Sequence, residues 1–103
     1  MELWAEYVAA FAKFKEGDGT LLDNMLIYAS TDQSLARLHQ IDGLPMFTAG
    51  KAGGKLKTGL HLDGKGGAGT RLGYTAMKVF GLDNASWGTQ SNNTSKEIGE
   101  ILV

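Results

Sequence analysis

Two short apolar runs, at residues 25–29 and 45–49, most constrain the fold of this 103-residue chain. The first run follows an amphipathic stretch at residues 2–15 and a tight turn at residues 17–19. A short, nearly continuous apolar run suits a strand that is buried on both faces of a parallel sheet. Pro45 has no backbone N–H, so we expect it at the first position of the second strand. The order helix, strand, crossover, strand predicts an α/β fold.

The amphipathic stretch predicts a helix, because its apolar residues recur at steps of three and four. These residues are Leu3, Trp4, Tyr7, Val8, Phe11 and Phe14. We expect the stripe to pack on the core of the protein, and a groove in a partner protein is the alternative. The turn at residues 17–19 should end this helix. A short helix is expected around residues 34–38, a longer one over residues 70–81 with Thr70 as its N-cap, and a last one after the capping-box pattern at residues 94–97.

Residues 50–69 contain eight glycines and four lysines. This composition predicts a loop, interrupted by a short strand at residues 59–62. A glycine-rich loop after a strand can cradle phosphate, but the P-loop ends in Gly-Lys-Ser/Thr and opens a helix, whereas Leu56 follows Gly54 and Lys55 here. The spaced glycines of the dinucleotide fingerprint are also missing. We therefore expect a structural loop, with nucleotide binding as the alternative.

Composition narrows the possible functions. Ten basic and eleven acidic residues give a net charge of −1, which argues against a nucleic-acid or membrane-surface protein. The chain has no cysteine, so disulfides, thiolate catalysis and thiolate metal sites are excluded. The N-terminus begins within the predicted helix and lacks the basic and apolar regions of a signal peptide. This beginning favours the interpretation of the chain as a truncated piece.

Three residues are candidate metal ligands: Asp32, His39 and His61. Metal sites of hydrolases combine carboxylates and imidazoles, often at the carboxyl ends of parallel strands. Asp32 follows the first predicted strand and has the right place for a ligand. His61 lies within a predicted strand and could equally be a hydrogen-bonded sheet residue.

The order of segments resembles the C-terminal part of an uncharacterised family of exported bacterial proteins related to the alkaline phosphatase/sulfatase-like superfamily. The most specific stretches are residues 17–24 and 53–62, and the similarity continues through residues 25–28, His39, and residues 44–45, 48–50, 72–82 and 86–88. The resemblance implies a longer, exported or periplasmic parent protein. It also implies a divalent-metal site in which an Asp-His pair follows a strand. Asp32 matches the first member, Gln33 stands in place of the histidine, and His39 could substitute as the ligand.

Together these observations predict an α/β fold of the three-layer αβα type, with a short, mainly parallel sheet flanked by helices. Residues 1–103 would form a single partial domain. We expect the chain to have no cofactor and no self-contained activity of its own, and to be the C-terminal part of a metal-dependent phosphatase- or sulfatase-like hydrolase. The alternative is a non-enzymatic surface or binding protein that has lost its metal ligands. An open sheet edge would favour a homo-oligomer, with a dimer expected, and neither nucleic acid nor a membrane is an expected partner.

Overall fold

The structure is a computed structural model that describes residues 1–40 and 42–103. Helix α1 (Glu2–Lys13) is followed by strands β1 (Lys15–Glu16) and β2 (Gly19–Thr20), the single-turn helix α2 (Leu21–Asn24), strands β3 (Ile27–Ser30) and β4 (Met46–Ala49), and helix α3 (Thr70–Val79). Three 3-10 turns lie at Ala36–Leu38, Gln90–Asn92 and Gly99–Ile101. None of the helices in this described part is long and apolar enough to cross a membrane.

The two apolar runs form strands that pair with each other, but in the antiparallel sense. Strand β3 pairs with β4 in a register that sets Ile27 opposite Ala49 and Ser30 opposite Met46. The prediction of a three-layer αβα fold with a mainly parallel sheet is therefore wrong: the described residues form two separate two-stranded antiparallel sheets. A parallel pair needs a crossover that carries the chain along one face of the sheet, usually as a helix. The described part of the connection holds the 3-10 turn at Ala36–Leu38 and no longer helix, and a bridge between Leu35 and Gln40 turns it back on itself.

The turn at residues 17–19, expected to end the first helix, belongs to a β-hairpin instead. Helix α1 stops at Lys13, and β1 pairs antiparallel with β2 across the Asp18 turn, where Gly17 has a φ of 56°. An Asp-Gly pair between short extended segments is a hairpin signal. The same glycines that could close a helix therefore close a hairpin instead.

The core lies between the loop after β4, helix α3 and the C-terminal segment. Its centre is formed by Ala52, Leu56 and Val79, against which Leu26, Ile101 and Leu102 pack. Backbone hydrogen bonds join the same elements, because the amide of Lys57 donates to the carbonyl of Ile101 at 2.8 Å. The C-terminal segment, residues 98–103, thus packs on the core through side-chain and backbone contacts.

The fully buried hydroxyl of Thr75 links the C-terminal segment to α3. The hydroxyl of Thr75 donates to the Arg71 carbonyl at 2.6 Å and accepts from the Ile98 amide at 2.8 Å. Both hydrogen-bonding roles of the hydroxyl are used. Thr75 therefore serves as the internal anchor of the residues that follow α3.

Trp87 covers the middle of α3. A Cβ atom added at Gly73 would lie 2.1 Å from the indole, so only a glycine allows this approach. The Trp87 backbone exchanges two hydrogen bonds with Thr94, each 2.8 Å long. The predicted helix after residues 94–97 is replaced by this bridge and by the later turn at Gly99–Ile101.

Two further expectations differ from the structure. Residues 59–62 form no strand, and they are exposed. Thr70 is the first residue of α3 rather than its N-cap, which is Gly69. The Thr70 hydroxyl donates to the Asn92 carbonyl, so it fastens α3 to a later loop instead of capping its own helix.

Candidate functional site

The glycine-rich loop after β4 is occupied by contacts with α2. Its consecutive amides donate to carbonyls at the C-terminal end of that helix: Lys51 to Leu22 at 3.1 Å, Ala52 to Met25 at 3.1 Å and Gly53 to Asp23 at 2.8 Å. The last carbonyls of a helix have no partner within it, and these amides satisfy them. Amides that are used in this way are not free to cradle a phosphate. The geometry therefore favours the structural interpretation of this loop over nucleotide binding.

An ion pair strengthens the same contact. The Lys51 ammonium lies 2.9 Å from the Asp23 carboxylate, which also accepts hydrogen bonds from the amide and the hydroxyl of Thr20, each at 2.9 Å. The Lys51 ammonium, together with these two hydrogen bonds, lowers the pKa of Asp23 from 3.8 to about 2. A carboxylate with so low a pKa stays ionised near neutral pH and is poorly suited to general acid or base chemistry.

The pair borders a shallow recess of about 370 Å³ between α2, β4 and the glycine-rich loop. Its polar lining comes from Thr20, Asp23, Thr48, Lys51 and Thr58. Because the ammonium and the carboxylate neutralise each other, neither is left to attract a charged ligand. The recess is a by-product of the loop contact and offers no set of reactive groups.

The three candidate metal ligands lie on exposed, irregular segments. Asp32 lies at a bend after β3, and His61 lies in the loop that replaces the predicted strand. His39 follows the 3-10 turn with a φ of 51°, and the side-chain Nε2 of Gln33 lies 2.9 Å from its Nδ1. Within residues 1–40 and 42–103, no group of three or more His, Asp and Glu side chains comes together as a metal site would require. The structure joins His39 to Gln33, and the assignment of Asp32, His39 and His61 as ligands stays a prediction.

A second recess, of about 460 Å³, lies beside α3 and is bordered by Met77, Leu82, Asn84 and Trp87. Two hydrogen bonds lie at its polar edge. The Asn84 carbonyl accepts one from Lys78 Nζ at 2.6 Å and one from the Tyr74 hydroxyl at 3.2 Å. These contacts hold the loop after α3 in place. Asp83 and Ser86 also line the recess, and the Asp83 carboxylate lies 3.8 Å from Lys78 Nζ.

Helix α1 carries the most unusual surface of the chain. Its apolar residues divide between two faces, and the half-buried face holds Trp4, Val8 and Phe11. Helix α1 packs mainly against α2 and β2, and on this face the Trp4 ring lies 6.4 Å from that of Phe47 on β4. The helix has no fully buried residue. It therefore rests on the rest of the protein along one narrow stripe.

The other face of α1 is apolar but open to solvent. Leu3 is 81% exposed, Tyr7 54% and Phe14, which directly follows the helix, 60%. The sequence predicted one wide stripe packed on the core, and the structure places half of it at the surface. Leu3, Tyr7, Ala10 and Phe14 are spaced by four, three and four residues, which is the spacing of a coiled-coil seam. Trp4, Val8 and Phe11 follow the same steps, so spacing alone does not distinguish the exposed half from the packed one.

Charge is divided along the same helix. Glu2 and Glu6 lie toward its N-terminal end, and Lys13 and Lys15 lie at its C-terminal end and just beyond. Among the described residues none of these four takes part in an ion pair, since the two pairs present are Lys51 with Asp23 and Lys78 with Asp83. The exposed face of α1 thus has an acidic end, an apolar middle and a basic end.

Comparison with protein-family models, curated proteins and solved structures finds no match. The relationship to the alkaline phosphatase/sulfatase-like superfamily therefore stays a prediction from the sequence. The candidate functional surface is the exposed face of α1.

Proposed function

We propose that this chain is a non-enzymatic association module, whose function is to join protein chains through the exposed face of α1. The observation that carries this proposal is the exposure of Leu3 and Tyr7 on α1, and of Phe14 directly after it, in one row. A contiguous exposed apolar row that is flanked by charged residues is typical of a protein-interaction site.

The thinness of the core supports the same proposal. The buried hydrophobic residues of the described chain are Ile27, Ala52, Leu56, Leu72, Tyr74 and Val79, and α1 contributes none of them. A chain of this size gains its stability from burying apolar surface, so apolar surface left in water is a favourable target for a partner. Association would complete the burial that α1 lacks within one chain.

The hydrolase function implied by the resemblance needs a reactive centre. The pKa of Asp23 is lowered, away from the range useful for acid–base chemistry near neutral pH. The candidate ligands Asp32, His39 and His61 lie on exposed segments. These observations favour the binding-protein alternative as the proposed function, and the hydrolase remains a prediction from the sequence.

Sedimentation equilibrium over chain concentrations from about 5 µM to about 1 mM tests the proposal. We expect the average mass to rise from that of one chain, 11.0 kDa, toward twice that value. A constant single-chain mass over the whole range would contradict it.

A further inference from the structure

We propose that the partner of α1 is the α1 of a second copy of this chain, packed against it in antiparallel orientation. This inference rests on the proposed function, and it adds the identity of the partner, the orientation of the two helices and the residues in contact. Spacing, charge and area each support it separately.

The first argument is the spacing. Leu3, Tyr7, Ala10 and Phe14 follow the alternating steps of a coiled-coil seam, and all four are exposed. When two such helices run in opposite directions, Leu3 of one copy lies in the same layer as Phe14 of the other. Tyr7 then faces Ala10, so that a large side chain meets a small one. The same four residues fill every layer from both sides, as a two-fold symmetric interface requires.

The second argument is the charge. The seam is flanked by Glu6 and Lys13 at equivalent heptad positions, seven residues apart. In the antiparallel arrangement Glu6 of each copy lies beside Lys13 of the other, and both pairs are attractive. A parallel arrangement instead sets Glu6, which precedes an a position, beside Phe11 of the other copy, so the two attractive pairs are lost. The macrodipoles of the two helices also oppose each other only in the antiparallel arrangement.

The third argument is the area. An aromatic side chain offers roughly 200 Å² for burial, so the exposed parts of Leu3, Tyr7 and Phe14 amount to about 400 Å² per copy. Stable interfaces bury about 800 Å² per partner, and transient ones bury less than about 600 Å². The seam therefore suffices for a weak, reversible dimer. We expect a Kd on the order of 10 to 100 µM.

Exchange of the flanking charges tests the orientation. The single variants Glu6→Lys and Lys13→Glu each replace two attractive contacts with two repulsive ones, so each should weaken the dimer by about five- to tenfold. The double variant Glu6→Lys, Lys13→Glu restores both pairs and should return the Kd to within about twofold of the original chain. Circular dichroism of each variant checks that α1 stays helical. A double variant as weak as the sum of the two single ones would overturn the antiparallel pairing.

A matched pair of tyrosines tests the surface. Tyr7 on α1 and Tyr28 on β3 are both 54% exposed, so truncating either removes the same amount of exposed apolar surface. Tyr7→Ala should weaken self-association at least tenfold, whereas Tyr28→Ala should leave the Kd unchanged. Equal effects of the two variants would overturn the assignment of the interface to α1.

Cysteine cross-linking tests the layers, since the chain has no cysteine of its own. A mixture of Leu3→Cys and Phe14→Cys chains should form a disulfide-linked dimer on mild oxidation, because the two positions share a layer. Leu3→Cys alone should stay unlinked, since its two copies lie roughly 17 Å apart along the helix axis. Linking of Leu3→Cys with itself would show a parallel pair and overturn the proposal.

These results distinguish the inference from the proposed function. If sedimentation shows a dimer whose Kd is unchanged by Tyr7→Ala and by the charge variants, the α1 seam is overturned. Self-association through another surface would then remain. A chain that stays monomeric at about 1 mM would overturn both.

Discussion

Replacing Gly50 with alanine would separate the glycine-rich loop from α2. Gly50 has a φ of 99°, and a Cβ there would lie 2.1 Å from the Met25 carbonyl oxygen and 3.0 Å from that of Leu22. Both oxygens already accept hydrogen bonds from the loop, from the amides of Ala52 and Lys51. The backbone cannot retreat from the new methyl group without losing these bonds. We therefore expect Gly50→Ala to be strongly destabilising.

A second glycine of the same loop isolates the steric part of this effect. Gly54 has a similar φ of 85°, but no atom lies within 4 Å of an added Cβ. The left-handed conformation costs a non-glycine residue about 1 to 2 kcal/mol, and this cost applies to both substitutions. Overpacking adds about 1 to 3 kcal/mol at Gly50 alone. We expect Gly54→Ala to lower the free energy of unfolding by about 1 kcal/mol and Gly50→Ala by about 4 kcal/mol.

Urea denaturation followed by circular dichroism measures both values. A chain of this length has a total stability of about 5 to 15 kcal/mol, so Gly50→Ala should remove a large share of it. If the two variants differ by less than about 0.5 kcal/mol, the close approach of the loop to α2 is not what requires glycine at position 50.

Three further predictions concern other contacts. The lowered pKa of Asp23 stabilises the fold above pH 3.8, and this contribution is lost as the pH falls toward about 2. In acid denaturation, the difference in the free energy of unfolding between the original chain and Asp23→Asn should therefore shrink over that interval. Thr75→Val leaves the Ile98 amide without its acceptor and should cost about 2 kcal/mol, with faster hydrogen exchange at that amide, whereas Thr75→Ser should keep the amide protected. Calorimetric titration with Zn²⁺ should show binding no tighter than about micromolar, and tighter binding that disappears in His39→Ala would show a self-sufficient metal site.

The sequence was most informative about local structure. Regular spacing of apolar residues predicted helices at residues 2–15 and 70–81, and the structure has helices at Glu2–Lys13 and Thr70–Val79. The apolar run at residues 25–29 overlaps strand β3 (Ile27–Ser30), but the burial of the strand alternates: Ile27 is buried and the next residue is exposed. A run that looks continuous can thus belong to a sheet with one open face, because an aromatic side chain is tolerated on either side.

Long-range pairing could not be predicted in the same way. The sense of the β3–β4 pair depends on how residues 31–45 fold, and that segment has no apolar periodicity that would distinguish a crossover helix from a returning loop. The contacts that hold the core together are equally difficult to predict from the sequence. Thr75 and Ile98 are joined by one hydrogen bond across 23 residues, and neither carries a local signal of it.

The exposed face of α1 shows where sequence periodicity needs a second criterion. The six apolar residues of the stripe cover about 140° of the helix circumference at 100° per residue. The contacts that α1 makes with α2, β2 and Phe47 take up only part of that width. Spacing does not decide which side stays exposed, because Trp4, Val8 and Phe11 follow the same steps of four and three as the exposed residues. The flanking charges do differ, since Glu6 and Lys13 lie beside the exposed row that carries Leu3 and Tyr7. Periodicity alone assigns such a helix to the core. Charged residues that flank one half of a wide apolar stripe are therefore a physical basis for recognising that half as an interaction surface.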